Sequence, residues 1–139
     1  MFTSDINKKQ NRNPVGLLHK TVFTYMNVSV FCALITHIYA IFGHGIRSVF
    51  MDYMFLVPFL AGALFFYVLG KIGISKESIR PGYNIYNSAV AAITAACMLK
   101  GIVIIAGTES IYITLLFITG VIMLLLGITL ILTGFIRSI

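Results

Sequence analysis

Between Lys20 and Arg47 the chain carries no Asp, Glu, Lys or Arg. The same bareness recurs from Asp52 to Lys71, from Arg80 to Lys100 and from Glu109 to Arg137. A soluble domain has charge on about a quarter of its residues; here the share is 10%, and 59% of the residues are hydrophobic. A chain of 139 residues so composed cannot coat itself with polar surface. Its solvent is therefore lipid. There, every backbone N–H and C=O must be paired within the spanning structure, which leaves helices or a closed barrel. The apolar runs are continuous and do not alternate, so they predict helices.

The boundaries follow from the charges. Residues 1–20 read as a basic cytoplasmic tail, with Lys8, Lys9, Arg12 and Lys20 against Asp5. Its lysines suit an anionic headgroup surface. Residues 21–139 form one transmembrane domain, with spans at about 21–42, 53–70, 84–106 and 111–136. The first, at 22 residues, covers about 33 Å by helix rise, longer than a signal-peptide apolar region. Pro58 predicts a kink in the second, which membrane helices tolerate. Pro81-Gly82 and Gly107-Thr108-Glu109-Ser110 are turn signals between spans. Short connections make consecutive helices neighbours, so the expected fold is an all-α polytopic membrane protein, a four-helix up-down-up-down bundle.

Counting Lys and Arg orients it. Lys8, Lys9, Arg12, Lys20, Lys71, Lys76, Arg80 and Arg137 fall on one side, and Arg47 and Lys100 on the other. Basic residues concentrate on the cytoplasmic side, so both termini are expected there, in a plasma (inner) membrane. The tyrosines fit two interfacial belts, with Tyr25, Tyr67, Tyr83 and Tyr86 near inner ends and Tyr39, Tyr53 and Tyr112 near outer ends. The net charge of +6 is thus a matter of topology. Neither basic-aromatic interleaving nor zinc spacing argues for nucleic acid.

Two sets of small residues suggest helix contacts. Gly120, Gly127 and Gly134 recur every seven residues, the period of a left-handed seam. Ser88, Ala92 and Ala96 recur every four. Small side chains let membrane helices approach closely. Contact within the four-helix unit is one reading, and a homo-oligomer is the other. Asn27, Asn84, Asn87 and Ser88 form a polar set towards the inner leaflet, with interhelical hydrogen bonding as its plain role.

The chemistry-bearing residues gather on the outer side. His37 and Lys100 each lie about 8–9 Å below the outer boundary. His44, Arg47, Asp52 and Glu109 stand above them, on loops or helix starts. Ionisable groups within spans usually face the bundle interior or a water-filled cavity. We therefore expect an outward-facing polar pocket, with His37 and Lys100 at its floor and Asp52 and Glu109 at its rim. The plainer alternative has Lys100 snorkelling to headgroups and the others as ordinary loop charges.

Other chemistries find little support. His37 is the only deep histidine, since His19 and His44 lie near opposite faces, and a haem within one chain needs two axial ligands. His37, His44, Asp52 and Glu109 are ligand types for zinc but lack a ligand spacing such as HExxH. Cys32 and Cys97 sit inside spans, where thiols act as small apolar side chains. Nucleophile triads and phosphate loops are not visible. No cofactor is expected. In length and span number the chain resembles small multidrug-type exporters in outline. Those carry an acidic residue deep in the first span, whereas residues 21–42 have none, so no residue role is carried over.

Three functions fit these readings. One is a channel or transporter for a proton, ion or small polar solute. The second is an accessory or scaffold subunit bound to a membrane-protein partner. The third, an enzyme acting on lipid or quinone through His37, His44, Asp52 or Glu109, has the thinnest motif support.

Overall fold

A computed structural model describes residues 14–44, 47–74 and 79–138. Lys8, Lys9, Arg12, Lys76 and the rest of 1–13, 45–46, 75–78 and 139 lie outside the described residues. The protein is all-helical, with α1 at Pro14–Phe42, α2 at Val49–Asp52, a π-helix at Val57–Leu64, α3 at Phe65–Ile72, α4 at Arg80–Ile105 and α5 at Ile111–Ser138. No strand occurs among the described residues. Four stretches are long and apolar enough to cross a membrane: Leu18–Phe42, Val49–Ile72, Arg80–Ile105 and Ile111–Arg137. The second combines α2, the π-helix and α3. At 1.5 Å per residue the shortest, 24 residues, reaches about 36 Å, enough for a hydrocarbon core of about 30 Å.

The helices begin earlier than the charge gaps suggest. Residues 14–20, placed in the tail by composition, are already helical. Pro14 opens α1, where a missing N–H costs nothing because first-turn donors have no helical partner. Gly107 closes α4 in the left-handed region, at φ 70°. Thr108 N–H then reaches the Val103 carbonyl and Gly107 N–H the Ile104 carbonyl, both at 3.0 Å. That pair of bonds caps the orphan carbonyls of the last turn.

Consecutive spans pack on one another. Along α1, Leu18, Val22, Tyr25, Ser29, Cys32 and Thr36 are buried or half-buried. Their alternating steps of four and three make a heptad seam, which meets the second span. A Cβ on Gly62 would overlap the Tyr25 ring, and one on Gly70 would touch Leu18. Between α4 and α5, Gly82 meets Ile131, Gly127 meets Tyr86 and Gly120 meets Ile93. Gly120 and Gly127 therefore serve contact within the chain. No Cα of α1 comes within 8 Å of a Cα of α5 among the described residues. The spans thus stand in a row, with α1 and α5 at its ends.

The four-residue stripe on α4 does not form one face. Ala96 is buried, Ala92 half-buried and Ser88 exposed. Each four-residue step turns the helix about 40° beyond a full circle, so eight residues rotate the stripe by about 80°. The buried face instead includes Gly82, Tyr86, Val90, Ile93 and Cys97.

At the core, Phe66 is fully buried. Its ring lies 5.8 Å from that of Tyr25, 5.1 Å from Tyr83 and 5.5 Å from Tyr86. Such offset and edge contacts add about 0.5–1.5 kcal/mol per pair beyond area burial. Tyr86 is buried and Tyr25 and Tyr83 are half-buried, so these three rings pack within the chain as well as lying near helix ends. A second cluster, Cys32, Met54, Ile93 and Cys97, fills the other half.

Pro58 does more than kink the second span. It has no N–H for the Met54 carbonyl four residues back. Val57 N–H turns to that carbonyl instead, at 3.3 Å, and a π-helix follows. The disturbed segment draws side-chain donors from its neighbours. Thr36 Oγ1 donates to the Met51 carbonyl at 2.9 Å, and Ser29 Oγ to the Phe55 carbonyl at 3.0 Å. Tyr86 Oη donates to the Ala61 carbonyl at 2.6 Å. Hydroxyls on α1 and α4 thus serve carbonyls that hydrocarbon could not.

Candidate functional site

Along the helix axes the spans have two ends. The terminal end holds Leu18, Gly70, Arg80 and Ile131; the distal end holds His44, Ser48 and the connection at 106–110. Five of the six polar residues singled out by sequence line hollows at the distal end, and they divide between two of them.

The first hollow, about 130 Å³, is lined by Thr36, His37 and Ala40 of α1 with Arg47, Asp52 and Phe55. Arg47 stands beside α1, and α2 carries Asp52 to the same opening. Imidazole, guanidinium, carboxylate and the Thr36 hydroxyl therefore converge. Together they offer both donors and acceptors to a small polar guest.

A smaller void of about 10 Å³ adjoins it, sharing Thr36, Ala40, Arg47 and Asp52 and adding Tyr39 and Ser48. Ser48 is 3% exposed, and its Oγ has no hydrogen-bond partner among the described residues. Its backbone is well used, since the Ser48 carbonyl accepts from Met51 N–H at 3.0 Å and Asp52 N–H at 2.9 Å. A buried hydroxyl without a partner is costly and calls for an explanation.

The second hollow, about 310 Å³, lies between the end of α4 and the start of α5, with Lys100, Thr108, Glu109, Ser110 and Thr114 among its lining. The Lys100 ammonium stands 5.0 Å from the centre of the Phe50 ring, a cation–π distance. Lys100 and His37 thus share a depth but not a cavity. The second span stands between them, and a Cβ on Gly101 would strike Met51. His44 is exposed, at φ 49°, with Nδ1 2.9 Å from the Phe42 carbonyl, where an Nδ1–H donates.

Towards the terminal end, side-chain hydrogen bonds join α1 to α4. Tyr25 Oη donates to Asn87 Oδ1, and Thr21 Oγ1 lies 2.7 Å from Tyr83 Oη. Of the polar set expected there, only Asn87 bonds across helices in this way. Asn84 and Ser88 are exposed, and Asn27 Nδ2 donates to the Phe23 carbonyl of its own helix at 2.9 Å. Sequence reasoning missed the tyrosine partners; Tyr83, Tyr86 and Asn87, at i, i+3 and i+4, were the available signal. A third hollow, about 160 Å³, lies nearby between α1 and α3, with His19 and Lys71 over an apolar floor of Leu18, Val22 and Phe66.

Among the described residues no three His, Cys, Asp or Glu side chains come together as metal ligands would. Compared with protein-family models, curated proteins and solved structures, the chain gives no match.

Proposed function

We propose that this chain is a small membrane transport protein that takes up a proton, ion or small polar solute through the hollow at His37, Arg47 and Asp52. One observation carries the reading: three ionisable side chains, and a buried serine hydroxyl with no partner among the described residues, line adjoining spaces at the distal end. An ionisable group within a span, as His37 is, is a functional-site candidate by default. By the Lys and Arg bias the distal end faces outward.

Two further features support this reading. Tyr25–Asn87 and Thr21–Tyr83 join α1 to α4 towards the terminal end with bonds that can break and re-form. Between these bonds and the distal end runs an irregular helix, and interrupted helices commonly form transporter sites. A hollow of about 130 Å³ has room for about four waters' share of liquid volume, so the solute is small.

The test is flux in proteoliposomes, with protons followed by an entrapped dye and glycine and inorganic phosphate by isotope. Flux above protein-free vesicles, abolished by Asp52→Asn and by His37→Ala, is the expected result. No flux of any probe, or flux that both variants leave unchanged, overturns the reading.

A further inference from the structure

We infer that α1 pairs two copies of this chain in parallel, through the face turned away from its contact with the second span. The inference does not rest on the transport reading.

Phe23, Asn27, Val30, Leu34, His37 and Ile41 are separated by four, three, four, three and four residues. That is a second heptad seam, extended at its ends by Lys20 and His44. Every one of these residues is exposed. The seam is displaced by one to two residues from the buried one, about 150° around the helix, so the two face largely away from each other.

An exposed apolar face in a membrane protein needs no partner, because lipid covers it. Two residues set this seam apart from such a face. Asn27 is nine residues from Leu18, about 13 Å along the span, and His37 is also within it, at the edge where the seam borders the first hollow. The Asn27 bond to Phe23 uses one N–H, and an amide has a second N–H and an acceptor oxygen. Acyl chains can satisfy neither group. On α5 the contrast is plain. Its exposed Thr119, Thr129 and Thr133 each donate to a carbonyl of their own helix, so that face is complete in lipid. In the most apolar 18 residues of each span, 11% are buried in the first and 17% in the fourth, the two ends of the row, against 33% in the second and third.

The occupant must therefore be apolar at four seam positions and hydrogen-bonding at the depths of Asn27 and His37. A second α1 meets both conditions. Copies inserted by one topology run parallel, which sets each seam residue opposite itself. An amide can donate to and accept from its own copy, and so can a neutral imidazole. A single Asn in a seam also fixes register, because any slip leaves it facing hydrocarbon. Lys20 and His44 then fall at the two water-facing ends, where like charges are screened.

Cross-linking of the full chain in liposomes tests this, in a Cys32→Ala/Cys97→Ala background with single cysteines at Phe23, Val30, Leu34 or Ile41. Met26 and Val28, exposed but off the seam, are the controls. Covalent dimers from the seam positions and none from the controls are expected. Energy transfer between labelled copies is expected to show Asn27→Leu weakening association roughly fivefold to thirtyfold, with Asn27→Gln close to wild type. Unchanged helicity by circular dichroism excludes misfolding as the cause. A chain that stays monomeric at high protein-to-lipid ratio, or cross-links equally at Met26 and Val28, overturns the inference.

Discussion

Tyr86 donates its hydroxyl proton to the carbonyl oxygen of Ala61, 2.6 Å away on the facing helix. That carbonyl belongs to the π-helix that follows Pro58. The tyrosine is held firmly in place. Its ring stacks on Phe65 at 4.5 Å, and its backbone rests on Gly127. Tyr86→Phe keeps the ring contacts and removes only the donor. Interhelical hydrogen bonds in membranes average about 0.6 kcal/mol and reach about 1.7. We expect a loss near the upper figure, because Ala61 O is left in an apolar interior. Unfolding of the purified variant by SDS titration measures it, and a loss indistinguishable from zero would contradict the role.

Gly127 and Gly120 should differ in their tolerance of a methyl group. A Cβ on Gly127 would sit 2.9 Å from Tyr86 N and Cα, which are backbone atoms and cannot yield without moving α4 from α5. On Gly120 the nearest atom is Ile93 Cγ1, at 2.7 Å, the movable part of a side chain. Overfilling a close-packed contact typically costs about 1–3 kcal/mol. Gly127→Ala is expected towards the top of that range and Gly120→Ala towards the bottom. Thermal stability of the two variants in one detergent gives the order, and equal losses would refute the backbone contact.

The spans were legible because absence of charge is a one-dimensional signal. Lys20, Asp52, Lys71, Arg80 and Glu109 bound them to within a few residues. The Gly120 and Gly127 face was legible too, since a seven-residue period survives whatever the rotation of the helix. Rotation itself was not. His37 and Lys100 have equal depth, which sequence position fixes, but different azimuth, which only contact with the second span decides. For the same reason Tyr25, Tyr83 and Tyr86 read as interface residues. A tyrosine is at home either at headgroups or inside with a partner, and Asn87, Thr21 and the Ala61 carbonyl are partners that only the fold brings near. Ser48 gave no signal at all: a serine in a polar loop is ordinary until it is found buried.

Ser29 and Pro58 should be coupled. Ser29 Oγ donates at 3.0 Å to the Phe55 carbonyl, which holds only a long 3.3 Å bond from Phe59 N–H beside Pro58. Ser29→Ala is expected to cost about 1 kcal/mol in the natural chain. Pro58→Ala restores an N–H for the Met54 carbonyl and allows a regular helix, in which the long Phe59 N–H bond to the Phe55 carbonyl can tighten and the Ser29 donor matters less. A double-mutant cycle by SDS unfolding should therefore give a smaller loss for Ser29→Ala in the Pro58→Ala background. Strict additivity would show that the two residues act independently.

Ser48→Ala separates a site from a structural accident. The hydroxyl is buried without a partner among the described residues, so removing it from an otherwise inert corner should be neutral or stabilising by about 1–3 kcal/mol. The adjoining void, bordered by Tyr39, Arg47 and Asp52, gives the hydroxyl a use if a polar guest enters there. We expect Ser48→Ala to fold at least as stably as the natural chain and to transport or bind its solute more weakly. The opposed signs matter, because a variant damaged in folding loses both properties together. Stability by SDS titration and flux in proteoliposomes, measured on the same preparation, decide it. Lower stability with unaltered flux would mean that the hydroxyl serves the fold and that the void is not part of a solute path.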